Sequence, residues 1–176
     1  MSPMQEDPTL APWSRLGESL EGSFAARARG LLAPAFVILD REGEEIGCLE
    51  IHGPQGAELE AGDLEARIEP SALSGYAMLA CDAKILEAEP VGALNTPEIR
   101  CMDRLYKGRL SLLRNTAWAG PAGERVTVRI TGGLTNRNYG AVFDVGNAGS
   151  LPVAFFLLYL TVALRRGAYL AGTGSS

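Results

Sequence analysis

Histidine is almost missing from this chain of 176 residues: His52, in EIHGPQG, is the only one. No GxSxG or comparable nucleophile motif accompanies it, so no Ser–His or Cys–His pair can be read, and a lone histidine at a strand end reads as structural or exposed. Cysteine is sparse too. Cys48, Cys81 and Cys101 are odd in number, widely spaced and without a CxxC pair, which excludes a zinc cluster and a disulfide framework. Three reduced, partly buried thiols are expected. No GxxxxGK[ST] phosphate loop is present, and Gly132-Gly133 of ITGGLTNR read as a hairpin turn. The acidic pairs Glu44–Glu45 and Glu58–Glu60 read as solvated turns rather than as an acid and base across a cleft. These absences predict no catalytic residue, no metal and no cofactor. The start, MSPMQEDPTLAPW, lacks the basic residues and apolar run of a signal peptide, so the expected location is the cytoplasm.

What is present is an ordinary globular composition, 47% hydrophobic and 21% charged, with no repeat and no Pro/Ser-rich linker; one domain is the economical reading. The net charge of −5 hides a split. Residues 1–99 carry 18 acidic and 6 basic side chains, net −12; residues 100–176 carry 3 and 10, net +7. A basic half can face an anionic partner, or simply neutralise the acidic half of the same fold.

Residues 1–12, with Pro3, Pro8 and Pro12 among acidic neighbours, read as a flexible tail. From Trp13 the pattern turns helical. Trp13, Leu16, Leu20 and Phe24 are spaced 3, 4 and 4, which predicts a short amphipathic helix within residues 13–30, weakened by Gly17 and Gly22. After Pro34 the chain reads as short strands. AFVILDREGEEIGCLEI is a strand, a turn around Asp40–Gly43 and a second strand, and SGYAMLACD, KILEAEP, EIRCMDRLY and NYGAVFDV are further runs. The clearest hairpin is read in RLYKGRLSLLRNTAWAGPAGERVTVRITGG. One strand faces Tyr106, Leu110 and Leu112 inward and Lys107, Arg109 and Ser111 outward. The other faces Val126, Val128 and Ile130 inward and Arg125, Thr127 and Arg129 outward.

Leu151 to Leu164, within LPVAFFLLYLTVALRRG, is free of charge for 14 residues. Fourteen helical residues span about 21 Å, short of the roughly 30 Å of a bilayer core. Lengthening the stretch through GAYLAG would place Arg165 and Arg166 inside it, so no transmembrane span is expected. A helix apolar all round is otherwise buried in protein. In a chain this size only a curled sheet can wrap it, and the alternating strands supply that sheet. Ser150 reads as the N-cap with Pro152 just inside. Gly167 follows a last turn that carries Arg165 and Arg166, giving a central helix over 151–166.

TNRNYGAVFDVGNAGSLPVAFFLLYLTVALRR resembles the end of the tubby C-terminal-like superfamily, which includes the phospholipid scramblases and LURP-one-related proteins. There an Asn-aromatic-Gly strand, here Asn138-Tyr139-Gly140, leads to a final apolar helix. FVILDREGEEIGCLEI resembles the family's early hairpin. The resemblance spans about residues 31–170 and implies a closed antiparallel β-barrel of about twelve strands around the C-terminal helix. The acidic calcium-loop pattern of scramblases is not found near the helix, and the family's phosphoinositide-binding basic residues have no position-by-position match, so the resemblance bears on fold rather than activity. The domain reading is therefore a tail at 1–12, a short helix at 13–30, a tubby-like barrel at 31–170 and a tail at 171–176.

The candidate ligand site is the outward basic face of the hairpin: Lys107 and Arg109 on one strand, Arg125 and Arg129 on the other, with Arg104 and Arg114 near its ends. If the strands pair, the four form one patch able to take lipid phosphate by charge-assisted hydrogen bonds. The expectation is a non-enzymatic module that binds anionic phospholipid head groups or another acidic ligand through this hairpin, cytoplasmic and peripheral at the inner membrane surface. The alternative is a scaffold that binds an acidic protein partner or itself. Nucleic acid is excluded as a partner on the overall pI of about 5.0 and the lack of an aromatic among the basic residues of the patch.

Overall fold

Residues 7–30, 35–71, 75–89 and 95–173 are described by the computed structural model. A short helix, α1 (Ala11–Leu20), precedes twelve strands: β1 (Ser23–Arg29), β2 (Ala35–Leu39), β3 (Glu45–Ile51), β4 (Ala57–Ala61), β5 (Leu64–Pro70), β6 (Tyr76–Ala80), β7 (Ala83–Ala88), β8 (Glu98–Cys101), β9 (Arg104–Ser111), β10 (Thr116–Pro121), β11 (Val128–Gly132) and β12 (Asn138–Phe143). A long helix, α2 (Ser150–Thr173), follows. Each strand pairs antiparallel with its sequence neighbours, and β1 pairs with β12, so the sheet closes into a barrel with no free edge.

Alternation explains the strands. β4 reads AELEA: Ala57, Leu59 and Ala61 are buried, Glu58 and Glu60 exposed. Alanine is frequent on the inner face, as at Ala57, Ala61, Ala66, Ala117, Ala119 and Ala141. Small inward side chains leave room for an object about 10 Å across, which is the width of a helix. That object is α2: every residue from Leu151 to Val162 is buried. By length and composition Ser150–Gly167 is apolar enough to cross a membrane, but 72% of it lies inside the protein. α1 closes the end where α2 begins. Trp13 and Leu20 are fully buried, and Trp13 packs on Phe155 at 6.3 Å between ring centroids.

Several boundaries differ from the sequence reading. The predicted helix over 13–30 ends at Leu20. Glu21 and Gly22 take positive φ of 54° and 82°, the Glu21 N–H donates to the Glu18 carbonyl, and the chain turns into β1. Phe24 therefore belongs to a strand, where it stacks on Phe155 at 4.5 Å. The barrel starts at Ser23 rather than 31, because without β1 the ring from β2 to β12 would stay open. α1 begins at Ala11, inside the expected tail; residues 1–6 lie outside the described residues. α2 begins with Ser150 as its first helical residue. Ser150 is buried with its hydroxyl unpartnered, so it does not cap. The polar atoms before it gather on Asn147, whose Oδ1 accepts from Tyr106 Oη at 2.6 Å and from the Gly149 N–H at 3.2 Å. Gly149 must lack a side chain, since a Cβ there would meet the Tyr106 hydroxyl. Gly167 does not end the helix, which runs to Thr173; of the expected tail 171–176, residues 174–176 lie outside the described residues.

Burial pushes the Cys101 thiol and, with help from neighbouring charges, the Tyr106 hydroxyl each up to about 12. Both hold their protons more tightly folded than unfolded. The stability they confer is complete below pH 9.0, the ordinary thiol value, and drains away as pH rises toward about 12. The melting temperature by circular dichroism should fall steadily above pH 9; a flat profile to pH 11 would contradict the buried placement of these groups.

A basic and aromatic row on the barrel wall

The barrel register decides which basic side chains meet. β9 and β11 do not pair. TAWAGP, read as part of the connection, is β10 and stands between them. In β10 the inward positions hold Ala117 and Ala119, and the large residue, Trp118, points out at 38% exposure. Trp118 is opposite Arg109 of β9 on one side and Arg129 of β11 on the other. Arg129 in turn is opposite Val142 of β12, itself 60% exposed. One outward row therefore reads Arg109, Trp118, Arg129, Val142. With strands about 4.8 Å apart, the two arginines start about 10 Å from each other and flank the indole.

The other two candidates are placed differently. Lys107 lies one step along β9, with Nζ 4.0 Å from Glu98. Arg125 lies in the β10–β11 connection rather than on a strand, and its guanidinium is 3.0 Å from Asp144. Thr127 is buried instead of outward, Val126 is half-buried, and β11 begins only at Val128. Arg104 is bound to Glu124 at 2.6 Å, and Arg114 is exposed in the β9–β10 connection. Among the described residues, Arg109 and Arg129 have no carboxylate within 4.0 Å. Of the four predicted residues, Lys107 and Arg109 share the outward face of β9, Lys107 and Arg125 have acidic partners, and Arg109 and Arg129 flank Trp118 with none among the described residues. Trp118 is the residue the sequence reading missed, and it corrects the statement that no aromatic stands among the basic side chains.

The far wall is acidic. In a ring of twelve, β4 lies six strands from β10, directly across the barrel. There Glu50 faces Glu58 and Glu60 faces Glu65 in cross-strand pairs, an arrangement that like-charge repulsion disfavours. Glu58 and Glu60 stand on a strand rather than in a turn. They line a shallow, open hollow of about 430 Å³ together with Cys48, Glu65 and Arg67. Cys48 is held above the ordinary thiol range by burial, opposed by Arg29. His52 is exposed, with Nε2 3.5 Å from Glu58, and Glu50, His52 and Glu58 could each turn a ligand atom toward one ion. All three are exposed, and nothing else at the hollow points to a metal.

Charge also divides along the barrel axis. Antiparallel strands send their connections alternately to two ends. At the end where α2 begins, Asp40, Glu42 and Glu44 fill the β2–β3 turn, and each of the next five connections carries one acid: Asp63, Asp82, Asp103, Glu124 and Asp144. Among the described residues of the connections at the other end there is one acid, Glu89, against Arg114 and Arg137, with Arg165 and Arg166 of α2 beside them. Arg165 donates to the carbonyls of Leu112 and Leu134, Arg137 to those of Gly30 and Ala28, and Arg166 lies over the Phe36 ring. The charge split between the halves of the sequence is therefore, in space, a polarity across the barrel; along it only the connections divide, since Glu50, Glu58, Glu69, Glu87 and Glu98 stand at strand ends beside the basic connections. No protein-family model, curated protein or solved structure matches this chain, so the geometry above is the basis for its function.

Proposed function

We propose that the chain is a non-enzymatic module that docks on anionic phospholipid head groups, peripherally at the inner membrane surface. The observation that carries this reading is the row Arg109–Trp118–Arg129, two guanidinium groups without carboxylate partners among the described residues, on either side of an exposed indole. Guanidinium forks match phosphate oxygens, and an indole with one apolar and one wet side suits the membrane interface. The polarity across the barrel supports it as well. An acidic wall opposite the basic one turns the basic wall toward a negative surface despite a net charge of −5. The tubby-like resemblance belongs to the same proposal, and a barrel threaded by its C-terminal helix supports it. The exclusion of nucleic acid now rests on net charge alone.

The test is co-sedimentation of the full chain, without detergent, with phosphatidylcholine vesicles and with phosphatidylcholine–phosphatidylserine vesicles across a salt series. Binding to the anionic vesicles alone, weakening as salt rises, is expected. Equal binding to both, or none to either, overturns the reading.

The opposed walls favour one alternative. A basic wall and an acidic wall on opposite sides of one molecule suit a head-to-tail scaffold, which grows into rings or filaments. Light scattering at low and high salt separates the two, because a monomer under both conditions excludes self-assembly.

A further inference from the structure

We infer that the barrel docks tilted, on the corner where its β9–β11 wall meets the end that carries the β9–β10 and β11–β12 connections, with Leu113 and Leu134 entering the hydrocarbon layer of an anionic bilayer. This rests on the docking reading above and adds its orientation and its apolar anchor. Leu113, in the β9–β10 connection, is 94% exposed, and Leu134, in the β11–β12 connection, is 99% exposed. Single exposed apolar residues are normal on a surface. These two are held on one end as a pair, because the Arg165 guanidinium donates to the Leu112 carbonyl at 3.1 Å and to the Leu134 carbonyl at 3.4 Å. The helix tethered inside the barrel thus fixes both leucine-bearing connections from below.

The heights match a membrane. Arg109 lies four residues before Leu113 on β9, and Arg129 lies five before Leu134 across β11. β9 ends at Ser111 and β11 at Gly132, so each leucine lies two turn residues past its strand; four residues at the strand rise of about 3.3 Å, tilted by about 40°, set an upper bound of roughly 10 Å along the axis. Amphipathic elements seat their apolar side chains about 5–10 Å into the head-group and acyl boundary. With the leucines at that depth, the arginines and Trp118 sit among phosphates and glycerol, and Arg114 lies beside the leucines at the entry.

The charge around the two leucines selects the bilayer over a second copy, since the strand-end acids of this end, Glu50, Glu58, Glu69, Glu87 and Glu98, stand on β3 to β8 and not on the strands that carry the leucines. Two such corners brought leucine to leucine would press Arg114, Arg137, Arg165 and Arg166 against their own images. The opposite end of a second barrel has complementary charge, but its exposed large apolar residue among the described ones is Val145, which leaves two leucines without an apolar bed. An anionic bilayer offers both the charge and the apolar medium.

Two variants of the full chain test this on the same phosphatidylcholine–phosphatidylserine vesicles. Leu113→Ser with Leu134→Ser should lower vesicle affinity about a hundredfold, roughly tenfold for each leucine withdrawn from hydrocarbon, and should leave the melting temperature of the free protein unchanged. Leu134→Trp should add an indole that bromine atoms on the acyl chains quench beyond the level of the unaltered protein. Vesicle binding that survives the double serine change, without extra quenching, refutes insertion while docking by the wall stands. Absence of binding by the unaltered chain overturns both readings. A dimer in solution that the serine changes dissolve assigns this end to self-association and overturns insertion.

Discussion

Replacing Arg109 and Arg129 together by glutamate should weaken binding to anionic vesicles by about a thousandfold. Each basic side chain near an anionic surface contributes about 1 kcal/mol, and reversing two of them changes four units of charge, about 4 kcal/mol in all. At 1.4 kcal/mol per tenfold, that is close to three decades. Both side chains are exposed and have no carboxylate partner among the described residues, so the change breaks no ion pair and the melting temperature should hold. Reversing Lys107 and Arg125 instead is the informative control. These two already face Glu98 and Asp144, so the substitution creates like-charge pairs and should cost stability while moving vesicle binding less. Co-sedimentation and a melting curve on each variant read both effects. Unchanged binding by the Arg109/Arg129 variant would remove the row as a ligand site.

Phe155→Ala should cost about 3–5 kcal/mol, a large part of the 5–15 kcal/mol that holds a typical domain together. Phe155 is fully enclosed on α2. Its ring stacks on Phe24 of β1 with an interplanar angle of 16°, and Trp13 of α1 tilts against it. Three elements distant in sequence meet on this one side chain: the helix inside the barrel, the strand that closes it and the helix that covers its end. Removing the ring leaves a cavity that a closed sheet cannot collapse to fill, which places the cost at the upper part of the range. Urea unfolding followed by far-ultraviolet circular dichroism and by tryptophan fluorescence, in which buried Trp13 changes surroundings more than exposed Trp118, measures it. A loss below about 1 kcal/mol would mean that Phe155 does not sit in a packed interior.

What could be read in advance followed from periodicity. Leu151–Leu164, fourteen uncharged residues followed by Arg165-Arg166, read as short for a bilayer and too apolar for a surface, which points to the inside of a sheet; the helix runs on to Thr173, and its burial is what the structure adds. The β4–β5 hairpin is equally periodic: AELEAGDLEARIE alternates on both sides of Gly62-Asp63 and pairs as a tight hairpin. Two segments misled for a physical reason. The spacing of Trp13, Leu16, Leu20 and Phe24 satisfies a helix to its last member, and only the positive φ at Glu21 and Gly22 separates Phe24 from it. In TAWAGP the usual pattern is inverted, because α2 leaves space only for Ala117 and Ala119 on the inside and the tryptophan is turned out.

By itself the sequence determined the class of the protein: short alternating strands that must close around a helix apolar on every face. Burying that helix and satisfying every strand edge have one common solution in a chain of this length. Only the tertiary structure decided which charges act together. The side chain opposite a given arginine depends on strand order and register, and inserting β10 between β9 and β11 put Trp118 between Arg109 and Arg129. The same pairing brings Arg125 to Asp144, and the alternation of antiparallel connections gathers acidic connections at one end of the barrel and places two bare leucines among arginines on one side of the other. Those outcomes follow from hydrogen-bond pairing between distant strands, a long-range choice that local periodicity does not encode.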